Sequence, residues 1–167
     1  MLFDATGMEA DSFAEAHLFA PLGIRQWDWS EGRWQGHPDM SSTLKMRSRD
    51  MAKLGQLVLD EGTWQGRQVV SKEWIRESTR THIAETPHDV QYGYLWWRVD
   101  PPPPRLELGP LTFANGIGSQ FIVVVPSARM VLVATGGNFF NERQFDIVRI
   151  AERHLLPGMS LDLTTPQ

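Results

Sequence analysis

The run from Phe113 to Thr135 constrains the fold of this chain more than any other part of its sequence. Two apolar stretches rich in β-branched residues, 120–125 and 130–135, flank a Pro-Ser-Ala turn, and this pattern predicts a buried β-hairpin. Gly116 and Gly118 come just before it, where the chain must turn sharply or approach a ligand closely. We therefore expect a glycine turn that presents backbone N–H groups at the entry of a central hairpin.

Helices are predicted before and after this hairpin. Ser48 opens an amphipathic pattern that Gly62 stops, and Ser71 is placed to cap a further helix. A helix capped by Asp11 is expected through about residue 19, and Asn141 opens a closing helix with an apolar stripe. The first residues resemble a last helical turn before Gly7.

The segment between these helices is predicted to hold a further strand and two irregular stretches. Alternation over Tyr92–Val99 predicts one strand, with Tyr92, Tyr94 and Trp96 on one face and Leu95, Trp97 and Val99 on the other. Residues 22–39 resemble a loop, whose tryptophans 27, 29 and 34 either serve function or cover the sheet. Residues 101–104 predict a polyproline connector. Helices followed by consecutive strands predict an α+β fold: an antiparallel sheet with packed helices.

Composition limits the classes of function. The 167 residues suit one domain, and a net charge of −4 with no basic cluster gives no attraction to nucleic acid. There is no cysteine, and the five histidines lack metal-ligand spacing, so no metal site is expected. No cofactor is expected either. No apolar run is long enough to span a membrane. No signal peptide is visible, so the compartment stays open, and is cytoplasmic if Met1 is the true start.

Seven segments, in order along nearly the whole chain, resemble the serine β-lactamase-like hydrolases. This family includes class C β-lactamases, penicillin-binding esterases and 6-aminohexanoate-dimer hydrolases. The segments are Thr6–Gly7, Phe19–Ile24, Leu44–Gly55, Leu57–Gly66, Val69–Trp74, Tyr92–Trp97 and Ala114–Gln120. The resemblance implies that the chain is the C-terminal portion of this fold, a single domain over residues 1–167 that lacks its N-terminal part.

The resemblance also implies a chemistry, which is acyl transfer through a serine. The family's third motif maps onto Ala114, Asn115 and Gly116, so the implied oxyanion donor is the backbone N–H of Ile117. Ala114 stands where many members carry a cationic or histidine residue, which fits ester or amide substrates better than a carboxylate-bearing lactam. Asn115, Tyr92 and Trp96 are the candidate substrate-binding residues. The alternatives are a tight strand entry for Asn115 and core packing of a strand for the two aromatic residues.

The family's nucleophile motif has one partial match in this chain. Ser42 and Lys45 form a Ser-x-x-Lys pattern, but Lys45 falls in the segment before the Ser48 helix, and residues 38–43 are poor helix material. No Tyr-x-Asn occurs. In the family both motifs normally lie upstream, so we expect a C-terminal piece of a hydrolase for a small ester or amide, with little activity alone.

A second hypothesis belongs to another class of function. A sheet without its N-terminal strands has an exposed edge, and exposed edges pair with other chains. The chain is then a non-catalytic binding or oligomerisation module derived from the same fold, which associates with itself or with a separate N-terminal portion.

Overall fold

A computed structural model describes residues 2–30, 33–34, 37–38, 43–86, 90–100 and 109–139. The chain divides into two compact units, Met1–Arg76 and Glu77–Gln167. The closing helix expected at Asn141, the polyproline run at residues 101–104 and the side chain of Ser42 lie outside the described residues.

The first unit is mainly helical. Its helices are α1 (Leu2–Thr6), α2 (Ala10–Ala14) and α3 (Ser48–Leu59), and α4 (Lys72–Thr79) runs through the boundary between the units. Four two-residue strands accompany them in antiparallel pairs: β1 (Trp27–Asp28) with β4 (Lys45–Met46), and β2 (Arg33–Trp34) with β3 (His37–Pro38). A third pair, β5 (Thr63–Trp64) with β6 (Arg67–Gln68), forms a hairpin after α3.

The predicted helix ends are confirmed at three places. Gly7, with φ +69°, donates to the carbonyl of Phe3 and ends α1, and Gly62, with φ +86°, donates to Leu57 beyond α3. The Ser71 hydroxyl accepts a hydrogen bond from the N–H of Trp74 at 3.2 Å, as a cap of α4 does.

The start of α2 differs from prediction. Glu9, not Asp11, is its N-cap, and the Asp11 carboxylate instead accepts a bond from the N–H of Ser12. Beyond α2 the helix widens into a π-helical segment, Glu15–Phe19, in which the N–H of Ala20 bonds the carbonyl of Glu15.

The first unit has its own apolar core. Phe19, Leu22, Ile24 and Leu57 are each at most 3% exposed, and Trp27 packs against Phe19 with 5.3 Å between ring centroids. The loop predicted over residues 22–39 is therefore wrong at Trp27, which lies in strand β1 because pairing with Met46 places its ring against this core. Trp29 is also buried, so these two tryptophans serve packing.

The second unit is built on a five-stranded antiparallel sheet with the order β11-β10-β9-β8-β7. Its strands are β7 (Gln91–Tyr92), β8 (Trp97–Val99), β9 (Leu111–Gly116), β10 (Gln120–Val125) and β11 (Met130–Ala134). The hairpin predicted from the apolar stretches is confirmed as β10 and β11, joined by a 3₁₀ turn at Pro126–Ala128. Both faces of β10 are buried, which explains its unbroken apolar sequence.

The single strand predicted over Tyr92–Val99 is wrong. The chain reverses there, so that Tyr92 pairs directly with Trp97 on the same face. The N–H of Gly93 donates to Trp96 at 2.7 Å, and Leu95 takes the left-handed conformation with φ +65°. A Cβ on Gly93 would lie 2.7 Å from the carbonyl oxygen of Arg80, so close backbone packing, which alternation does not reveal, fixes this reversal.

Candidate functional site

The turn between β9 and β10 is the centre of the candidate site. Gly116 pairs with Gln120 across the ladder, so residues 117–119 form the connection. Gly118 and Ser119 both take positive φ, +85° and +72°. The glycine predicted to turn the chain sharply does so at Gly118, while Gly116 is the last residue of β9.

The side chains of Gln120 and Asn138 brace this turn. The Gln120 amide nitrogen donates to the carbonyl of Gly118 at 3.0 Å and to that of Gly136 at 2.7 Å. The backbone N–H of Asn138 also donates to Gly118, and its side-chain amide donates to the Ser119 hydroxyl at 3.2 Å. The turn is thus tied to the chain that leaves β11, which limits its freedom to move.

Ile117, whose backbone N–H is the predicted oxyanion donor, lies in this turn. The residue is 58% exposed, and no residue in the described part of the chain accepts a hydrogen bond from its N–H. A fixed backbone donor at a sheet end can hold the negative oxygen that forms when a carbonyl is attacked.

Asn115, which precedes the last residue of β9, has an unusual environment. Its Oδ1 is buried, and none of the described residues donates a hydrogen bond to it. Most buried polar atoms are paired, and an unpaired acceptor costs about 1–3 kcal/mol. Asn115 Oδ1 is thus a buried acceptor whose donor is not among the described residues.

The predicted substrate-binding aromatics lie at the same end of the sheet. Tyr92 pairs with Trp97, which pairs with Phe113, so Tyr92 shares a face with Phe113, two strands away at about 10 Å, and with Asn115, two residues further along β9. Its ring lies 4.5 Å from that of Trp97, within an aromatic row. Trp96 is in the β7–β8 turn, and the register sets this turn beside the end of β9, next to the β9–β10 turn.

The described residues do not support a catalytic role for Ser42 and Lys45. Lys45 is exposed and paired with Asp28 in the two-residue strand β4, rather than in the helix that a Ser-x-x-Lys motif requires. Among the described residues no three His, Asp or Glu side chains are grouped to hold a metal ion. No described helix has the length and apolar character to cross a membrane.

The perturbed ionisable groups of the described chain favour their charged forms. A hydrogen bond from Ser30 lowers the pKa of Asp28, one from Lys72 lowers the pKa of Glu61, and one from Arg80 lowers the pKa of Glu77. General acids need the opposite shift, toward neutrality. We therefore assign these carboxylates to surface ion pairs and turns, and not to proton transfer.

The structure is similar to solved structures of serine β-lactamase-like proteins. A Bacillus anthracis protein assigned as a 6-aminohexanoate-dimer hydrolase aligns with a TM-score of 0.70 and 21% identity, over 90% of this chain and 38% of its own. A Bacteroides dorei protein assigned as a β-lactamase gives 0.58 and 12%, over 87% and 52%. A penicillin-binding protein homologue from Caulobacter crescentus gives 0.56 and 15%, over 87% and 53%.

The chain therefore has the serine β-lactamase-like fold, and spans about two fifths to half the length of these neighbours. The predicted fold, an antiparallel sheet with helices that forms part of the β-lactamase and transpeptidase-like fold, is confirmed. No protein-family model matches the sequence, and no curated protein matches it either.

Sequence reasoning did not identify several residues at this end of the sheet. Gln120 and Asn138 brace the turn, but a single Gln or Asn carries no signal of its partner. Leu95 and Phe139 are exposed apolar residues, 72% and 57%, beside Trp96 and Gly118 respectively. Phe139 follows Gly136 and Gly137, and this glycine pair after a strand was the available signal.

Proposed function

We propose that this chain supplies the oxyanion side of an acyl-transfer site in a serine hydrolase that cleaves a small ester or amide. Ile117 donates its backbone N–H to the carbonyl oxygen, Gly116 and Gly118 allow the backbone to take its path, and Asn115 binds the substrate. Tyr92 and Trp96 flank the acyl or amide group. The observation that carries the proposal is the Ile117 N–H, which has no acceptor among the described residues and lies on a braced turn, in a fold shared with hydrolases.

The proposal places the attacking serine outside this sequence. In the reaction the serine oxygen bonds to the carbonyl carbon, its proton passes to a base, and the alcohol or amine leaves; water then releases the acid. The fold neighbours are at least about twice as long as the segment that this chain matches, which accommodates a nucleophile elsewhere. By itself, the chain is then expected to bind and not to turn over.

The test compares hydrolysis of p-nitrophenyl acetate by this chain and by the longest in-frame product that contains it. We expect turnover only in a product that adds a Ser-x-x-Lys and a Tyr-x-Asn motif. In that product Ile117→Pro, which removes the N–H, should lower kcat about 100-fold, whereas Ile117→Val, which keeps it, should not. Turnover by this chain alone that Ser42→Ala abolishes would instead assign the nucleophile to Ser42.

A further inference from the structure

Exposed apolar side chains gather at one end of the second unit's sheet. The described residues include seven large apolar side chains that are exposed, and four of them lie in three connecting segments: Tyr94, Leu95, Ile117 and Phe139. These segments are the β7–β8 turn at 93–96, the β9–β10 turn at 117–119 and residues 135–139 after β11. The ladder register places all three at the same end of the sheet.

The same segments contain no charged residue. Residues 93–96, 117–119 and 135–139 include no Asp, Glu, Lys, Arg or His. The opposite end of the sheet differs: the Arg98–Asp100 ion pair, 2.6 Å long, and Arg129 lie there. A ligand that meets these three segments therefore finds apolar surface and backbone groups from them, and among the described residues the charged or titratable neighbours of Tyr94 are Arg80 and His82.

Leu95 has a strained backbone conformation and an exposed apolar side chain. It adopts φ +65°, a conformation that is strained for a residue with a Cβ, and the residue is 72% exposed. A strained, exposed leucine beside a candidate site is a feature that often accompanies function.

Phe139 packs against the β9–β10 turn at 117–119. A Cβ built on Gly118 would lie 2.7 Å from Phe139 Cε1, so the ring rests directly on the turn, one residue from the Ile117 N–H. The N–H of Asn138 bonds the carbonyl of the same glycine and fixes the strand exit there. Apolar surface and hydrogen-bond donor are thus contiguous.

We infer that this surface, formed by Leu95, Ile117 and Phe139, binds an uncharged alkyl chain of the substrate, so that the site selects neutral esters or amides with an extended apolar group. This inference rests on the proposed function, because the occupant's carbonyl is the group that Ile117 holds. The turn supplies the donor and the surface supplies chain-length selectivity. An amide whose alkyl chain is longer by five methylenes, half of them covered by this surface, should bind roughly 30-fold more tightly than the shorter amide.

The experiment titrates the chain with N-methylacetamide and N-hexylacetamide, followed by ¹H–¹⁵N NMR. We expect the hexyl amide to bind roughly 30-fold more tightly, and Phe139→Ala to reduce that preference to about fivefold or less. Trp74→Ala, which removes an equally exposed apolar side chain from α4, is the matched control and should retain the preference. Hexanoate, which carries a charge, should bind more weakly than the hexyl amide.

Leu95→Gly separates binding from folding. It should weaken hexyl amide binding several-fold while raising the denaturation midpoint, because glycine relieves the positive φ. A residue with only a structural role would not show gain of stability together with loss of binding.

The outcomes distinguish the two proposals. Equal affinity for both amides, or a hexyl preference that Phe139→Ala leaves intact, overturns the apolar-chain inference. If the hexyl preference holds while the Ile117 amide resonance stays unmoved by either ligand, the oxyanion role fails and the apolar surface stands. A dimer seen by light scattering that Phe139→Ala abolishes would assign the surface to self-association and overturn the inference.

Discussion

Gly62 and Gly66 offer a matched pair for testing how the first unit is held together. Both have positive φ, +86° and +81°, and they lie on either side of strand β5. A Cβ on Gly66 would meet nothing within 4 Å. One on Gly62 would overlap the carbonyl oxygen of Val70 and lie 2.7 Å from the side-chain nitrogen of Gln68.

The two alanine variants should differ by the contact alone. Each variant loses about 1–2 kcal/mol of stability because alanine is strained in the left-handed conformation, and each gains the same small amount because its unfolded chain is stiffer. These effects cancel in the comparison. What remains for Gly62→Ala is an overlap with main-chain atoms, which cannot rotate away, and such overpacking costs about 1–3 kcal/mol.

The Gly62 carbonyl makes this overlap harder to relieve. It accepts hydrogen bonds from the N–H groups of Val69 and Val70, at 2.9 and 3.2 Å, and the Gly62 N–H bonds Leu57 at 2.7 Å. Moving the glycine aside would lengthen these bonds at the end of α3. We therefore expect Gly62→Ala to be the less stable variant by about 2 kcal/mol.

Urea denaturation followed by tryptophan fluorescence measures the difference, with equal m values as the condition for comparing midpoints. Trp64 lies between the two glycines and reports locally. Equal stability of the two variants, within about 0.5 kcal/mol, would refute the idea that close backbone approach is the reason for glycine at position 62.

Two further predictions concern single side chains. Asn115→Val should raise the free energy of unfolding by about 1 kcal/mol, because it removes a buried acceptor without a described partner. It should also weaken amide binding. A denaturation midpoint below that of the parent chain would contradict the stability prediction. Glu61 has its pKa lowered first by the hydrogen bond from Lys72 and then by Arg76, so its contribution to stability is present above the ordinary carboxyl pKa of 4.5 and is lost as pH falls through the lowered value. Glu61→Gln should therefore be less stable than the parent near neutral pH and equal to it well below that value; parallel stability curves over this range would show that the ion pairs contribute nothing.

The elements that could be predicted are those whose signal is local. The β10–β11 hairpin follows from β-branched runs around a Pro-Ser-Ala turn, and α3 from its apolar periodicity and its glycine stop. Tyr92–Val99 could not be read correctly, because alternation is equally consistent with a strand and with a tight hairpin. The reversal depends on Gly93 packing against the backbone at Arg80, and leucine at position 95 argues against the conformation that it takes.

The candidate site was predictable only in part. A glycine-bounded turn indicates the position of Ile117, and the family resemblance attaches a role to it. The convergence of residues 93–96, 117–119 and 135–139 depends instead on ladder register, which brings together residues about forty positions apart. The support from Gln120 and Asn138 depends on the same register.

The proposed donor at position 117 is a main-chain atom, and this affects how the site can change over time. Every amino acid except proline supplies the same N–H, so substitutions at this position can alter the exposed side chain without removing the hydrogen bond. The residues that must stay fixed are those that hold the turn, Gly118, Gln120 and Asn138. The side chain at position 117 can therefore change with the substrate while the proposed backbone donor is kept.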